Sequence, residues 1–342
     1  MSDHTKRVSA ALQAVADASV ICRRVQARIG SIVSASKDDK SPVTIADFAS
    51  QAVVAHTLSE ALGEVVLVGE EDSRMLRERA AQGDSSLLDA VMEALHEMWP
   101  DVPAERVLEA IDLGAAEPPT SALHGFWTLD PIDGTKGFLR GGQYAVSLAW
   151  IEAGIPVLGV LGCPNLSRDL SVPFDEPDPV GSIYVAQHNE GLYELPGDDP
   201  AAHPVHIRRL EPVDSEPVRL CESVESAHSD HAVSERVLEK LGEPAEPARL
   251  DSQAKYAVVA RGQADIYLRM PSKKGYIERI WDHAAGSLVA SEAGCAVTDA
   301  FGEPLDFSHG KGLEKNRGIL VAPPALHGRA LGAIRVVLGG AT

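Results

Sequence analysis

The chain has few cysteines, few aromatic residues and no long apolar run. Its 342 residues include four cysteines, none of them in a Cys-x-x-Cys pair, so neither a disulfide framework nor a zinc ribbon is predicted. These thiols, Cys22, Cys163, Cys221 and Cys295, are expected to be reduced and mostly buried. No apolar stretch approaches the roughly 20 residues that a membrane-spanning helix requires, so no membrane partner is expected.

Basic residues are scarce relative to acidic ones. The 31 lysines and arginines against 50 aspartates and glutamates give a net charge of −19, which argues against a nucleic-acid partner. An anionic substrate would need a local patch of basic residues to overcome the negative electrostatic field of the whole protein. The N-terminal residues lack the pattern of a signal peptide, because Asp17, Arg23 and Arg24 interrupt them, so a cytoplasmic location is expected.

The first two thirds of the chain combine helical patterns with a long run of strands. Apolar spacing predicts a long amphipathic helix over 5–34 and a second helix over about 46–62. A short buried strand is predicted at 65–68, and 73–125 is predicted to form peripheral helices and loops. Short strands separated by glycine-containing turns then predict an antiparallel sheet over about 126–209.

Beyond a proline-rich stretch at 196–217 the pattern changes. Predicted strands and helices alternate from there, which is typical of a largely parallel α/β sheet. We therefore place a boundary near residue 212. It separates an N-terminal α+β domain, 1–212, from a C-terminal α/β domain, 213–342.

One segment, 129–139, carries the strongest chemical signal. Asp130 and Asp133 follow an apolar strand with Pro131 between them, and Gly134 and Thr135 come next. Two carboxylates at a strand end can hold hard cations. The N–H groups of the following turn and the threonine hydroxyl can hold a phosphate. The segment therefore indicates metal-assisted phosphate chemistry.

Three further acidic residues lie near predicted strand ends or helix starts. Asp47 and Asp282 begin predicted helices, where a single aspartate is usually an N-cap, and Glu70 follows a predicted strand, where it could be a solvated strand end. Taken alone, each has this structural interpretation. The spacing of Asp130 and Asp133 makes a role as metal ligand or base more plausible for all three.

Four segments together resemble a known superfamily. Ser-Pro-Val-Thr-x-x-Asp at 41–47, Val-Gly-Glu-Glu at 68–71, Asp-Pro-Ile-Asp-Gly-Thr at 130–135 and Trp-Asp-His-Ala-Ala-Gly at 281–286 occur in the order seen in the inositol monophosphatase superfamily of Mg²⁺-dependent, lithium-sensitive phosphatases. Stretches 136–146 and 250–256 resemble the 3′(2′),5′-bisphosphate nucleotidase branch, in its fungal and plant form. The resemblance covers about 8–325.

The resemblance implies a layered αβαβα sugar-phosphatase fold with the site between two domains. It also implies two or three Mg²⁺ ions. Their ligands would be the side chains of Glu70, Asp130, Asp133 and Asp282 and the backbone carbonyl of Ile132. In addition, Thr135 would orient the attacking water, with Asp47 hydrogen-bonded behind it as the proton acceptor.

The resemblance implies a substrate site in the C-terminal domain. The residues expected to contact adenosine 3′,5′-bisphosphate are Thr135, His228, Ser252, Lys255, Arg269 and Asp282. On the residues alone, other interpretations stay open. His228 could be an ordinary loop residue, Lys255 a solvated charge on a helix, and Arg269 a residue that caps the end of a strand. His283, beside a ligand, could orient a carboxylate or simply lie on a helix face.

The expected activity is therefore hydrolysis of the 3′-phosphate of adenosine 3′,5′-bisphosphate to AMP and phosphate, by in-line attack of a metal-activated water. The sulfated nucleotide and the 2′-phosphate isomer are further candidate substrates. Two alternatives remain: an inositol polyphosphate 1-phosphatase using the same site, and a nucleotide sensor without turnover. The presence of Asp47, Thr135 and all four expected metal carboxylates argues against the sensor. A monomer with a small-molecule substrate is expected.

Overall fold

Two β-sheets and the helices on their faces make up the protein. The computed structural model describes residues 3–29, 42–119, 125–209, 217–225, 231–242, 247–271 and 275–339. The helices are α1 (Asp3–Ala27), α2 (Pro42–Leu62), α3 (Arg74–Ala81), α4 (Ser86–Leu95), α5 (Ala104–Asp112), α6 (Thr135–Leu139), α7 (His231–Leu241), α8 (Ala254–Ala260), α9 (Ala284–Ala293) and α10 (Pro324–Gly339). The strands are β1 (Leu67–Gly69), β2 (Phe126–Asp133), β3 (Ala145–Glu152), β4 (Ile155–Cys163), β5 (Ser182–Gln187), β6 (Gly191–Pro196), β7 (Val205–Ile207), β8 (Leu220–Glu222), β9 (Ala248–Arg249), β10 (Ile266–Arg269), β11 (Ala296–Thr298) and β12 (Ile319–Ala322).

The first sheet follows the chain order from β1 to β7. β1 pairs with β2 in parallel, and all later neighbours are antiparallel, which confirms the predicted antiparallel sheet. Successive side chains of a strand point to opposite faces. Accordingly, Ile183 and Val185 of β5 pack on one side of the sheet, and Tyr184 and Ala186 pack on the other.

The second sheet has the order β11-β12-β10-β8-β9. β9, β8 and β10 are parallel to one another, and β12 runs antiparallel between β10 and β11. The predicted, mostly parallel α/β sheet is thereby confirmed. The proposed domain boundary near 212 lies outside the described residues and stays a prediction.

The buried residues show how the layers stack. One apolar core joins α1 and α2 to the first sheet, a second joins the opposite face of that sheet to α8, α9 and the second sheet, and a third covers the far face of the second sheet with α7 and α10. The order is helix, sheet, helix, sheet, helix. The predicted αβαβα arrangement is confirmed.

Two local predictions need correction. α2 begins at Pro42, about four residues before the predicted start, because proline is well suited to the first turn of a helix. The 73–125 segment forms the predicted helices, but they are not merely peripheral. Leu87 and Leu95 of α4 and Val107 and Ile111 of α5 are almost fully buried in the first core, because each helix has an apolar stripe facing α2.

The cysteines behave as expected. All four lie within the described residues, and all four are buried thiols outside any disulfide.

An ion-pair cluster fixes the start of the second sheet. The Asp265 side chain, 3% exposed, accepts a hydrogen bond from Arg209 Nη2 at 2.6 Å and three from Arg219, at 2.9 Å from the backbone N–H, 3.0 Å from Nε and 2.8 Å from Nη2. Burial opposes ionisation of this carboxyl, but the bonds from Arg219 and the Arg209 charge outweigh it and hold its pKa below the usual range.

The Asp265→Asn variant is expected to lose about 3 kcal/mol of unfolding free energy at pH 7, because it leaves the buried Arg209 without its counter-charge. The folded-state pKa lies below the unfolded-state value, so the stabilisation is present above about pH 4 and is lost as the pH falls through the folded pKa. Urea unfolding of variant and parent at pH 7 and at pH 3 measures this difference. Asp169→Asn, at an exposed loop position, is the control. Equal stability of Asp265→Asn and the parent at pH 7 would contradict the prediction.

Candidate active site

A cleft of about 580 Å³ lies where the ends of β1 and β2 face α8 and β10. Most of the residues that the sequence singles out line it: Glu70, Asp130, Ile132, Asp133, Thr135, Ser252, Lys255, Arg269 and Asp282. Three do not. Asp47 is buried behind the wall of the cleft, His283 is buried beside Glu278, and His228 lies outside the described residues. The predicted site is therefore largely one surface in the folded chain.

The end of β2 is shaped by its own sequence. Pro131 has no N–H to donate to a neighbouring strand, and the pairing of β2 with β3 shifts register between Asp130 and Asp133. The Ile132 N–H turns instead to the Asp130 carboxylate, with N and Oδ1 3.0 Å apart. At this register shift the regular pairing with β3 is interrupted, and both aspartates line the cleft.

Gly134 completes this turn for two reasons. Its φ of +87° is in the left-handed region, which glycine adopts without strain. A Cβ at this position would also lie 2.9 Å from Cβ of Ser252, so the turn packs directly against the segment before α8. The turn with the predicted metal ligands and the predicted substrate segment are thus in contact.

The carboxylates of the cleft repel one another. Burial and the charges of Asp282 and Glu71 raise the pKa of Glu70 to about 7, and burial is the largest cause that raises the pKa of Asp282 to about 6. Burial followed by the Glu70 charge raises the pKa of Asp130 well above its usual range. The carboxylates of Glu70, Asp130, Asp133 and Asp282 line one cleft, although no three of them have oxygen atoms within 4.8 Å of one another. A cleft lined by carboxylates fits Mg²⁺, whose charge would relieve the repulsion.

Asp133 has a more balanced environment. Burial raises its pKa, and this effect is opposed by the Lys255 charge and by a hydrogen bond from the backbone N–H of Gln253, with N and Oδ2 2.5 Å apart. Asp133 is therefore held in position by the C-terminal half of the chain, although it belongs to the first sheet.

Asp47 lies inside α2, not at its start. Because the helix begins at Pro42, the N-cap interpretation of Asp47 is wrong. Its side chain is buried, and burial and the charges of Glu71 and Glu70 raise its pKa well above the ordinary value. Asp47 therefore lies close behind these two glutamates. Within the described part of the chain no hydrogen bond joins Asp47 to Thr135. The role of this pair in activating water stays a prediction.

Lys255 and Arg269 supply the basic side of the cleft. Lys255 is 2% exposed, and its Nζ donates to the Ser252 carbonyl at 2.7 Å and to the Leu250 carbonyl at 3.3 Å. The alternative interpretation of a solvated helix charge is therefore wrong. Arg269 forms a two-point pair with Glu278, with Nε–Oε1 and Nη2–Oε2 distances of 2.8 and 2.7 Å.

Glu278 is a site residue that the sequence analysis missed. Burial opposes its ionisation, but the hydrogen bond from His283 and the Arg269 charge outweigh it and lower its pKa to about 2. His283 is buried, with Nε2 3.3 Å from Glu278 Oε2 and Nδ1 2.9 Å from the Tyr256 hydroxyl. Of the two interpretations of His283, orientation of a carboxylate is the one observed.

A cluster of possible ligand atoms overlaps this network. Among the described residues, Glu278, Asp282 and His283 are the one trio of acidic, histidine or cysteine side chains whose ligand atoms all lie within 4.8 Å of one another. Because Glu278 already pairs with Arg269, we interpret the trio as a link between Asp282 and the basic side of the cleft. No local sequence pattern predicts it, since Arg269 and Glu278 meet only in the folded chain.

The fold and the acidic cleft define a class of protein. The chain matches the inositol monophosphatase family over residues 3–337, and it belongs to that family. The superfamily is metal-dependent and generally uses Mg²⁺. None of the helices that the structure describes has the length and apolar character needed to cross a lipid bilayer.

Within the family, the chain is similar to particular enzymes of fungi and plants. It is 42% identical over 313 residues to the 3′(2′),5′-bisphosphate nucleotidase of Schizosaccharomyces pombe, covering 88% of this chain and 86% of the relative. It is 41% identical over 346 residues to the 3′(2′),5′-bisphosphate nucleotidase of Oryza sativa, covering 97% and 94%.

Solved structures support the fold. An inositol monophosphatase from Anabaena superposes with a TM-score of 0.60 at 17% identity, covering 99% of this chain and 97% of that one. CysQ from Bacteroides thetaiotaomicron superposes with a TM-score of 0.56 at 20% identity, covering 92% and 96%. At these identities the likeness establishes the fold alone.

Proposed function

We propose that this chain is a Mg²⁺-dependent 3′(2′),5′-bisphosphate nucleotidase that converts adenosine 3′,5′-bisphosphate to AMP and phosphate. The observation that carries the proposal is a single cleft lined both by carboxylates and by the cations Lys255 and Arg269. The similarity to the named fungal and plant enzymes supports it. A monomeric state and a cytoplasmic location are further parts of the proposal, and the sulfated nucleotide and the 2′-phosphate isomer are further candidate substrates.

The acidic side would hold the metal. Glu70, Asp130, Asp133, Asp282 and the Ile132 carbonyl would bind Mg²⁺, which supplies acidification of a bound water and neutralisation of phosphoryl charge. Since the carboxylates repel one another strongly, the same residues would also stabilise the folded chain when the ions bind.

The chain itself would supply the proton acceptor. Thr135 is exposed at the first position of α6 and lines the cleft, where its hydroxyl can orient a water. Asp47, buried behind Glu70, has a raised pKa, and a carboxylate with a raised pKa is a stronger base. We propose that Asp47 receives the water proton through Thr135 once the metal and substrate are bound.

The basic side would bind the 5′-phosphate. Glu278 occupies the Nε and Nη2 edge of Arg269, so the phosphate would meet the Nη1 edge, with the guanidinium orientation already fixed. Lys255 and Ser252 lie beside it in the cleft. Contacts from Thr135 and Asp282, and from His228 outside the described residues, complete the proposed set.

The proposal is tested by phosphate release from adenosine 3′,5′-bisphosphate and from inositol 1,4-bisphosphate at the same Mg²⁺ concentration. A higher kcat/KM with the nucleotide, abolished by a chelator and restored by Mg²⁺, is the expected result. A higher kcat/KM with the inositol compound would instead favour the polyphosphate 1-phosphatase. If neither compound releases phosphate and the nucleotide still binds, the remaining interpretation is a nucleotide sensor without turnover.

Arg269→Lys tests the contact with the 5′-phosphate. Lysine keeps the charge but not the planar fork that Glu278 orients, so KM for adenosine 3′,5′-bisphosphate is expected to rise about tenfold with kcat nearly unchanged. Adenosine 3′-monophosphate, which lacks the 5′-phosphate, is the internal control, and its KM should not change. Equal increases for both nucleotides would place Arg269 away from the 5′-phosphate.

A further inference from the structure

Gln253 is a buried amide at the centre of the cleft wall. It precedes α8, is 2% exposed and uses both ends of its side chain. Its Nε2 donates to the Ser147 hydroxyl at 2.7 Å and to the Trp281 carbonyl at 2.8 Å, and its Oε1 accepts from the Gly286 N–H at 2.8 Å. These partners belong to β3, to the residue before Asp282 and to α9.

The backbone of the same residue contacts the other half of the site. The Gln253 N–H donates to Asp133 Oδ2 at 2.5 Å. The backbone of Gln253 therefore holds Asp133, and its side chain holds the segments on both sides of Asp282. Each of these carboxylates comes from a different part of the sequence, and one residue connects them.

The neighbouring contacts make this connection rigid. Ser252 has a φ of +71°, an unusual conformation for a non-glycine residue, and it packs against Gly134 of the turn with the predicted metal ligands. The Ser147 hydroxyl also lies 3.4 Å from the Trp281 carbonyl. Gln253 is thereby held by contacts from several directions, so its side-chain amide keeps the segments that it contacts in fixed relative positions.

We propose that Gln253 is a positioning residue that sets the separation of Asp133 and Asp282 and so determines the affinity of the site for Mg²⁺. This inference rests on the proposed function, since it assigns Mg²⁺ to those carboxylates. Partners that orient metal ligands are typically worth ten- to a hundredfold in metal affinity or activity. Gln253 itself needs no contact with the ion or with the substrate.

The test is Gln253→Met, which keeps the length of the side chain and removes its hydrogen bonds. The backbone N–H to Asp133 is retained, so only the link to the Asp282 side is lost. Mg²⁺ binding, measured by calorimetry on the intact protein without substrate, is expected to weaken about tenfold or more. The Mg²⁺ concentration for half-maximal phosphate release should rise by a similar factor, and saturating Mg²⁺ should restore most of kcat.

Gln143→Met is the matched control. Gln143 is also buried, and its Nε2 donates to the carbonyls of Asn165 and Phe174 at 3.0 and 2.8 Å, but its side chain does not line the cleft. The control is expected to lose stability through its broken amide bonds, as Gln253→Met does, yet its Mg²⁺ affinity should equal that of the parent.

Ser147→Ala provides a milder second variant if Gln253→Met does not fold. It removes one partner of the amide and is expected to weaken Mg²⁺ binding in the same direction by a smaller factor. Parent-like Mg²⁺ affinity in whichever of the two variants folds would overturn the inference while leaving the proposed function intact. Failure of the parent itself to bind Mg²⁺ and to release phosphate would overturn both.

Discussion

Replacing Asp133 by asparagine is expected to reduce phosphate release by about 10³-fold or more, an increase of about 4 kcal/mol in the activation barrier. Asparagine has nearly the same volume, but it replaces one charged ligand oxygen by an amide. The Gln253 N–H can still donate to the amide oxygen, so the turn after β2 should keep its shape. The expected loss therefore comes from metal binding and not from the fold.

Three measurements separate these causes. Thermal unfolding without Mg²⁺ should show a variant at least as stable as the parent, because one repelling carboxylate has been removed from the cleft. The stabilisation that Mg²⁺ gives to the parent should be reduced or lost. Asp169→Asn, the same substitution on an exposed loop, is the control for the general effect of replacing a carboxylate by an amide. Parent-like turnover by Asp133→Asn at ordinary Mg²⁺ would remove Asp133 from the ligand set.

Replacing Asp47 by asparagine is expected to lower kcat by about 10²- to 10⁴-fold, which is the range for loss of a general base. The residue is buried in α2 and does not line the cleft, so the substitution should leave KM for the nucleotide close to that of the parent. Mg²⁺ binding should also be retained. Steady-state kinetics and calorimetry on the same preparation measure the three quantities together.

The two aspartate variants therefore differ in a way that kcat alone does not reveal. Asp133→Asn should lose both turnover and Mg²⁺ binding, and Asp47→Asn should lose turnover alone. If Asp47→Asn keeps most of the parent kcat, the proton acceptor is another group. If it loses Mg²⁺ binding as well, Asp47 acts through the neighbouring Glu70 and Glu71, whose charges raise its pKa.

Much of the architecture was predictable because its signals are local. Short strands separated by glycine-containing turns predict the first sheet, and the change to alternating strands and helices after the proline-rich stretch predicts the second. The 129–139 segment predicts the acidic side of the cleft, since both aspartates, the proline and the glycine that shape the turn are neighbours in the sequence.

The remaining features depend on contacts between distant residues. Lys255 looks like an ordinary helix charge until α8 is packed between the two sheets. Glu278 becomes a partner of Arg269 only when the segment before α9 lies beside β10. Gln253 was visible within the 250–256 stretch, but its partners Ser147 and Gly286 are far away in the sequence. No pattern in one segment contains that information.

The buried cysteines have a practical consequence for spectroscopy. Burial raises the pKa of Cys221 to about 12 and also raises that of Cys22 and Cys163, so at neutral pH these three thiols contain almost no reactive thiolate, and Cys295 is likewise buried. A new cysteine at Val336, 59% exposed on the outer face of α10, should therefore react with a maleimide dye well ahead of the native thiols. Fluorescent probes can thus be attached to this chain without first removing its natural cysteines.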